Sequence, residues 1–298
     1  MEETLHIPAL DSANLAQVVA QALTRISSEM RPDVLAALQV ALEKESQPRA
    51  RQVLGMLIEN AELAAAKRLP LCQDTGSVWV LLELGRSVNS GRPLAAPSDL
   101  FSQVDSTIRW VWREHRLRAS LLEDALLDRT NSRDNTPAFT EISLKPEMLG
   151  ARLTVMLKGG GSDNASMLAM LTPGEGWLAI HQLVINHVLS KAANACPPLV
   201  IGVGVGTTFD KVAGLAKQAM LRPIGAANPD ARLAQMEQTL MAEINSSGIG
   251  PGGLGGETTA LAVSIKTAPC HIASLPVAIC LGCVATRAVS FQLTGEWM

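Results

Sequence analysis

Five cysteines carry the first chemical suggestion in this sequence: Cys72, Cys196, Cys270, Cys280 and Cys283. They form an odd and widely scattered set, which argues against a disulfide framework. Cys280-Leu-Gly-Cys283 has the spacing of a redox pair or half a zinc site, but no second C-x-x-C or H-x₃₋₅-H completes a zinc set. One of that pair reads equally as a buried structural thiol. Cys72-Gln73-Asp74 sets a thiol beside an amide and a carboxylate. Cys72, Cys196 (before Pro197-Pro198) and Cys283 (after Gly282) each stand beside a turn or a Gly/Pro-rich stretch, positions from which three thiolates can meet at one metal centre. Alternatively, each is an inert thiol. The intervals of 124 residues from 72 to 196 and 87 from 196 to 283 put such a meeting beyond any local motif. His271, next to Cys270, reads either as a site residue or as a satisfied core histidine.

Glycine supplies the second signal. Gly202-Val-Gly204-Val-Gly206-Thr207-Thr208 joins an apolar strand to a helix, which makes either an anion site from helix-terminal amides or a tight turn. The dinucleotide fingerprint fails in both registers, because Thr207 or Phe209 stands where the third glycine belongs. Lys158-Gly-Gly-Gly161-Ser-Asp-Asn164 and the loop from Gly248 to Gly256 are costly in chain entropy, a cost associated with close approach of backbone to a neighbour. A flexible surface turn is the alternative for each, but two such loops favour a ligand.

The elements that must position these residues follow from periodicity. Apolar residues from Ser12 to Lys67 recur at helical spacing and predict three amphipathic helices broken near Pro32 and Pro48. Val78 to Leu82 is a β-branched apolar run after the turn-like Cys72-Gln73-Asp74-Thr75-Gly76, which places that pentapeptide on a loop entering a strand. Residues 96–127 read as helix, Arg129 to Ala138 as a polar loop, and 139–145 and Arg152 to Leu157 as strands. Thr172-Pro173-Gly174-Glu175 carries the signature of a capping box before a helix to about Ala193. A strand over Pro198 to Val205, helices over Phe209 to Leu221 and 230–245, and strands over 259–265 and 275–281 complete a mixed α/β fold. A helical amino-terminal region, 1–70, precedes an α/β region, 71–298.

Composition excludes several classes. With 47% hydrophobic and 18% charged residues the chain is not disordered, and 25 basic against 28 acidic residues leave a net charge of −3, no footprint for nucleic acid or an anionic membrane. The most apolar stretch, His271 to Val289, is interrupted by Pro276, Gly282 and Arg287, so a soluble cytoplasmic protein is expected.

Taken in order along the chain, several segments together resemble the amino-terminal, iron–sulfur-binding part of the class I fumarase and tartrate dehydratase family. They are Cys72-Gln-Asp-Thr-Gly76, Arg133-Asp-Asn-Thr-Pro-Ala138, Lys158-Gly-Gly-Gly-Ser162, Ala195-Cys-Pro-Pro198 with Gly202-Val-Gly-Val-Gly206, and Leu221-Arg-Pro223. Gly250-Pro-Gly-Gly-Leu-Gly-Gly256 with Thr258-Thr-Ala-Leu-Ala262, and His271-Ile-Ala-Ser-Leu-Pro276 through Cys283 and Arg287, continue the match. The resemblance implies an α/β cluster-binding domain of the class I fumarase type. It also implies a [4Fe–4S] cluster held by Cys72, Cys196 and Cys283, Cys283 being preferred to Cys280 because it stands four before Arg287. One iron is left open for substrate as a Lewis acid.

By the same resemblance Asp74 and His271 are catalytic candidates, Asp74 as acid–base partner at the substrate hydroxyl. Gln73, Arg118 and a glycine of the triple-glycine loop, Gly160, are substrate-binding candidates, Arg118 as a bidentate carboxylate ligand. The implied activity is a hydro-lyase α subunit, first for reversible hydration of fumarate to (S)-malate, with tartrate dehydratase or mesaconate hydratase α subunits as alternatives. A non-catalytic binding protein that keeps the fold is the other class. Because single-chain members continue into a carboxy-terminal domain where this chain stops at Met298, a separate β subunit is expected to complete the site, in an α2β2 or similar oligomer. Val284 and Ala288 stand where the family has bulkier or basic residues.

Overall fold

A computed structural model describes residues 2–86 and 97–295. In chain order the elements are β1 (Glu2–His6), α1 (Ser12–Ser28), α2 (Pro32–Lys44), α3 (Pro48–Lys67), β2 (Ser77–Gly85), α4 (Pro97–Glu114), β3 (Phe139–Lys145) and β4 (Ala151–Lys158). They continue with α5 (Gly160–Asn164), β5 (Met167–Leu171), α6 (Gly176–Lys191), β6 (Leu199–Thr207), α7 (Val212–Ala219), α8 (Ala231–Ser246), β7 (Ala260–Cys270), β8 (Leu275–Gly282) and β9 (Arg287–Thr294). The chain forms two compact units, one of residues 1–31, 63–158 and 287–298, the other of 32–62 and 159–286. Each has its own mixed sheet, so the fold is mixed α/β.

In the first unit the strand order is β1-β9-β4-β2-β3. β1 runs parallel to β9 and β2 parallel to β3, while β4 is antiparallel to both β2 and β9. The helical period of α1 puts Leu15, Val19, Leu23 and Ile26 on one stripe, and these share a core with Val104, Ile108 and Val111 of α4 and with Val80, Val155 and Phe291 of the sheet. The helix expected over 96–127 ends at Glu114. Arg116 takes a left-handed conformation (φ 52°) while the Leu117 amide bonds back to the Trp112 carbonyl at 2.9 Å. Beyond it, backbone pairs Ser132–Leu121 and Glu123–Thr130 replace the helical ladder.

In the second unit the strand order is β5-β8-β6-β7, with β6 parallel to β7 and β8 antiparallel to β6 and β5. Val184 and Val188 of α6 and Leu240 and Ile244 of α8 pack with Ile201, Val203, Ile279 and Leu281. The capping box at Thr172 and Glu175 is present and opens a short 3₁₀ turn that leads into α6. The Gly202–Gly206 run is consumed by packing: a Cβ at Gly202 would lie 2.1 Å from the Ala216 carbonyl oxygen, and one at Gly204 would lie 2.6 Å from the Ala216 amide nitrogen. Glycine here lets α7 lie directly on β6, and the same residues that suggested an anion loop serve a helix–strand contact. Among the described residues no helix is long and apolar enough to cross a membrane.

Candidate functional site

In the first unit the loop Cys72–Gly76 is fixed at every residue after the amide. The Asp74 carboxylate accepts the Gly76 amide at 2.9 Å, an Asx-type turn, and the Asp74 carbonyl accepts Nη2 of Arg287 at 2.8 Å. Arg287 opens β9 and is only 1% exposed, so its guanidinium serves the loop from inside the unit. Gly76 has φ 79°, and a Cβ there would lie 2.7 Å from the Lys158 carbonyl oxygen, which is why the turn into β2 requires glycine. Cys72 is half-buried and Gln73 exposed.

Arg118 lies 44 residues after Asp74 in sequence, and the fold joins their segments. The Thr75 hydroxyl donates to the Arg118 carbonyl at 2.6 Å, and the Trp112 indole donates to the same oxygen at 3.3 Å. The Arg118 backbone is therefore pinned while its side chain is exposed. Asn135, fully buried, accepts the Ser120 amide at 2.8 Å and donates to the Gly76 carbonyl at 3.0 Å. Beside it, burial would raise the Asp134 carboxyl, but the Thr136 hydroxyl and amide and the Arg109 guanidinium outweigh this and hold it below its ordinary value.

In the second unit the structure joins the backbone turns of two candidate cysteines. Cys196 ends a 3₁₀ turn (Ala192–Ala195) in left-handed conformation (φ 55°) with its side chain exposed. Its carbonyl accepts the amide of Val284 at 3.1 Å, the residue after half-buried Cys283. The Thr286 hydroxyl closes the Cys283 turn at 2.6 Å, and the Pro197 carbonyl accepts the Gly252 amide at 2.8 Å, so the glycine-rich loop buttresses the Cys196 side. Within that loop Gly250 has φ 69°, and a Cβ would lie 2.1 Å from the Gly255 carbonyl oxygen. Close approach of backbone to backbone explains these glycines. Cys280 is buried and receives the Ser166 hydroxyl at 3.8 Å, the structural thiol of the C-x-x-C pair.

Not every candidate joins these groups. His271 lies in the exposed turn between β7 and β8, where its Nδ1 accepts the Ala273 amide at 3.1 Å. Cys283 follows the far end of β8, and eight extended residues separate the two by roughly 25 Å. Gly160 is exposed in the first turn of α5, so the triple-glycine segment is a short helix rather than a flexible surface turn; Asp163 and Ser162 both bond to the Gly159 carbonyl there. The supports Thr75, Asn135 and Arg287 escaped the sequence reading as site elements. The signal for Asn135 was its place in a polar turn, where asparagine tolerates the left-handed region, and its φ is 62°.

An iron–sulfur cluster asks for soft, accessible thiolate donors. Among the described residues no three His, Cys, Asp or Glu side chains gather as a preformed metal site. Cys72, Cys196 and Cys283 are outside any disulfide and stand on turns with exposed or half-exposed side chains, the soft and accessible thiols that Fe–S ligation requires. The donors fit the group.

Comparison with known proteins agrees with the sequence resemblance. The model of the family described as Fumarate hydratase (Fumerase) matches residues 16–292. A protein of Methanocaldococcus jannaschii named putative L(+)-tartrate dehydratase subunit alpha is 36% identical over 277 residues, covering 92% of this chain and 95% of its own. The L(+)-tartrate dehydratase subunit alpha of Escherichia coli (strain K12) is 29% identical over 278 residues, covering 92% of this chain and 88% of its own. A family match across nearly the whole chain, with a relative above 30% identity, means that this chain belongs to the fumarate hydratase (Fumerase) family of hydro-lyases.

Proposed function

We propose that this chain is the α subunit of a [4Fe–4S]-dependent hydro-lyase that removes or adds water across a C4 dicarboxylate. Cys72, Cys196 and Cys283 are its cluster ligands, within the α/β region 71–298 behind the helical region 1–70. The observation that carries the reading is the Val284–Cys196 backbone bond, which joins the turns that carry Cys196 and Cys283. When bound, the cluster would supply a Lewis-acidic iron that polarises the substrate hydroxyl.

The remaining chemistry belongs to side chains of the chain. Arg118, pinned through its carbonyl and exposed at its guanidinium, grips one substrate carboxylate through paired N–H donors. Gln73 offers its exposed amide alongside. Asp74 has one carboxylate oxygen held by the Gly76 amide, which orients the group to exchange a proton at the substrate hydroxyl. Gly160 contributes backbone to carboxylate binding, and His271 enters this reading through the family resemblance alone. The base for the C3 proton comes from a β subunit, which the relatives' "subunit alpha" names support.

On substrate, the relatives' names move the first choice from fumarate, expected from sequence, to L(+)-tartrate. Fumarate and (S)-malate remain the second reading because Lys158-Gly-Gly-Gly-Ser162 and Gly256-Glu-Thr-Thr-Ala-Leu-Ala262 resemble fumarase segments more closely. Anaerobic assay of the reconstituted αβ complex on L(+)-tartrate, fumarate, (S)-malate and mesaconate tests this. Turnover of L(+)-tartrate with a kcat/KM at least tenfold above that for (S)-malate is expected; the reverse order installs the second reading, and turnover of none removes both.

A further inference from the structure

The segment Arg133-Asp-Asn-Thr-Pro-Ala138 has no part in the function proposed above, yet it contains the most deeply committed polar side chain near the Asp74 loop. Asn135 is fully buried and sits at φ 62°, in the left-handed region. Its amide is spent at both ends: the oxygen accepts the Ser120 amide at 2.8 Å and the nitrogen donates to the Gly76 carbonyl at 3.0 Å. Its own backbone N–H donates to the Ser132 hydroxyl at 3.1 Å, which fixes the turn that presents it. One side chain thus bridges three stretches that are remote in sequence, around residues 76, 120 and 135.

Two of those stretches carry the groups assigned to substrate. Gly76 is bonded to the Asp74 carboxylate through its amide and to Asn135 through its carbonyl, so the two peptide units that flank one glycine link the acid–base group to the asparagine. Ser120 is two residues from Arg118, whose carbonyl is held by Thr75 from the Asp74 loop. A shift of about 1 Å between an acid–base group and a carboxylate clamp costs about a hundredfold in rate. A buried amide donating one way and accepting the other is directional, which an apolar contact at this place would not be.

We propose that Asn135 is a positioning residue, which sets the distance between the Asp74 carboxylate and the Arg118 guanidinium and so matches the site to the length of a C4 dicarboxylate. This rests on the roles proposed for Asp74 and Arg118. Its sequence requirement is narrow, because the residue must accept φ above zero, be buried, and offer both a donor and an acceptor.

The test uses the cluster-loaded αβ complex, with rates normalised to acid-labile sulfide. Asn135→Gly keeps the backbone conformation and removes both side-chain bonds; Asn135→Asp keeps the acceptor for Ser120 and removes the donor to Gly76. With L(+)-tartrate, or with fumarate if that is the substrate turned over, Asn135→Gly is expected to lower kcat/KM about a hundredfold, with KM rising as well as kcat falling. Asn135→Asp should lie between it and the parent. A merely structural role lowers the active fraction and leaves KM unchanged, so parental KM in a folded, loaded Asn135→Gly complex overturns the proposal. If either variant fails to load, hydrogen exchange of the parent decides: Ser120 must be protected well beyond its exposed loop neighbours, and fast exchange there also overturns it. A parent complex inactive on every dicarboxylate instead refutes the proposed function, an outcome separable from these.

Discussion

The Val284 amide donates to the Cys196 carbonyl at 3.1 Å, joining turns whose thiols are 87 residues apart in sequence. Val284→Pro removes this donor, and Val284→Ala keeps it. The proline variant is expected to lose about 1–3 kcal/mol of stability in chemical denaturation and to retain less sulfide after anaerobic reconstitution. The alanine variant should retain the parental sulfide content, because it keeps the donor, although truncating the buried Val284 side chain costs some stability of its own.

Arg118 offers a cleaner separation of binding from folding, because its carbonyl is held by Thr75 while its side chain is exposed. Arg118→Lys keeps the charge and the backbone but loses the fork of paired donors. Steady-state kinetics of the αβ complex should show KM raised at least about tenfold, the equivalent of one charge-assisted hydrogen bond. The melting temperature of the α chain should stay near the parental value.

Two glycines of one loop differ in what surrounds them. Gly248 and Gly250 both have φ 69°, but a Cβ on Gly248 meets nothing within 4 Å and one on Gly250 would lie 2.1 Å from the Gly255 carbonyl oxygen. Gly248→Ala is expected to cost about 1 kcal/mol for the left-handed conformation alone. Gly250→Ala should cost at least about 3 kcal/mol and, through Gly252 and Pro197, disturb the Cys196 turn. Urea titrations of the two variants give the comparison.

Asp134 predicts a pH dependence. Its carboxyl is held below the ordinary 3.8 by Thr136 and Arg109 against the opposing effect of burial. Because the folded state prefers the ionised form, the stabilisation is complete above pH 3.8 and is lost as pH falls through the lower folded value. Asp134→Asn should therefore be less stable than the parent at neutral pH, and the difference should shrink below pH 4. Thermal melts at pH 7, 5, 4 and 3 would reveal it.

Much of this architecture was legible because it is local. The helical periods of α1 to α3, the Thr172–Glu175 box and the turn chemistry of Cys72–Gly76 depend on neighbouring residues, and the structure has each where periodicity and turn residues put it. β1, β5 and β9 were missed for a different reason. β1 pairs with β9 across nearly the whole chain, Glu2 opposite Ser290, and no local pattern reports such a partner. β9 did carry a period-two signal, with Val289, Phe291 and Leu293 buried, but it follows a loop that masked its start. Gly202 and Gly204 misled because a close helix and a bound anion ask the same thing of the backbone. Of the site, residue types at motif positions could be read from sequence, whereas the buried donors that hold them, Asn135 and Arg287, are defined only by long-range partners.

The central claim is that three scattered thiols hold an iron–sulfur cluster, and iron and acid-labile sulfide content after anaerobic reconstitution tests it most directly. The parent is expected to hold about four iron and four sulfide per chain. Cys72→Ser, Cys196→Ser and Cys283→Ser should each lose the cluster, while Cys280→Ser, whose thiol is buried against Ser166, should keep it. Absence of sulfide in the parent, or a full cluster in any of the first three variants, would contradict the account.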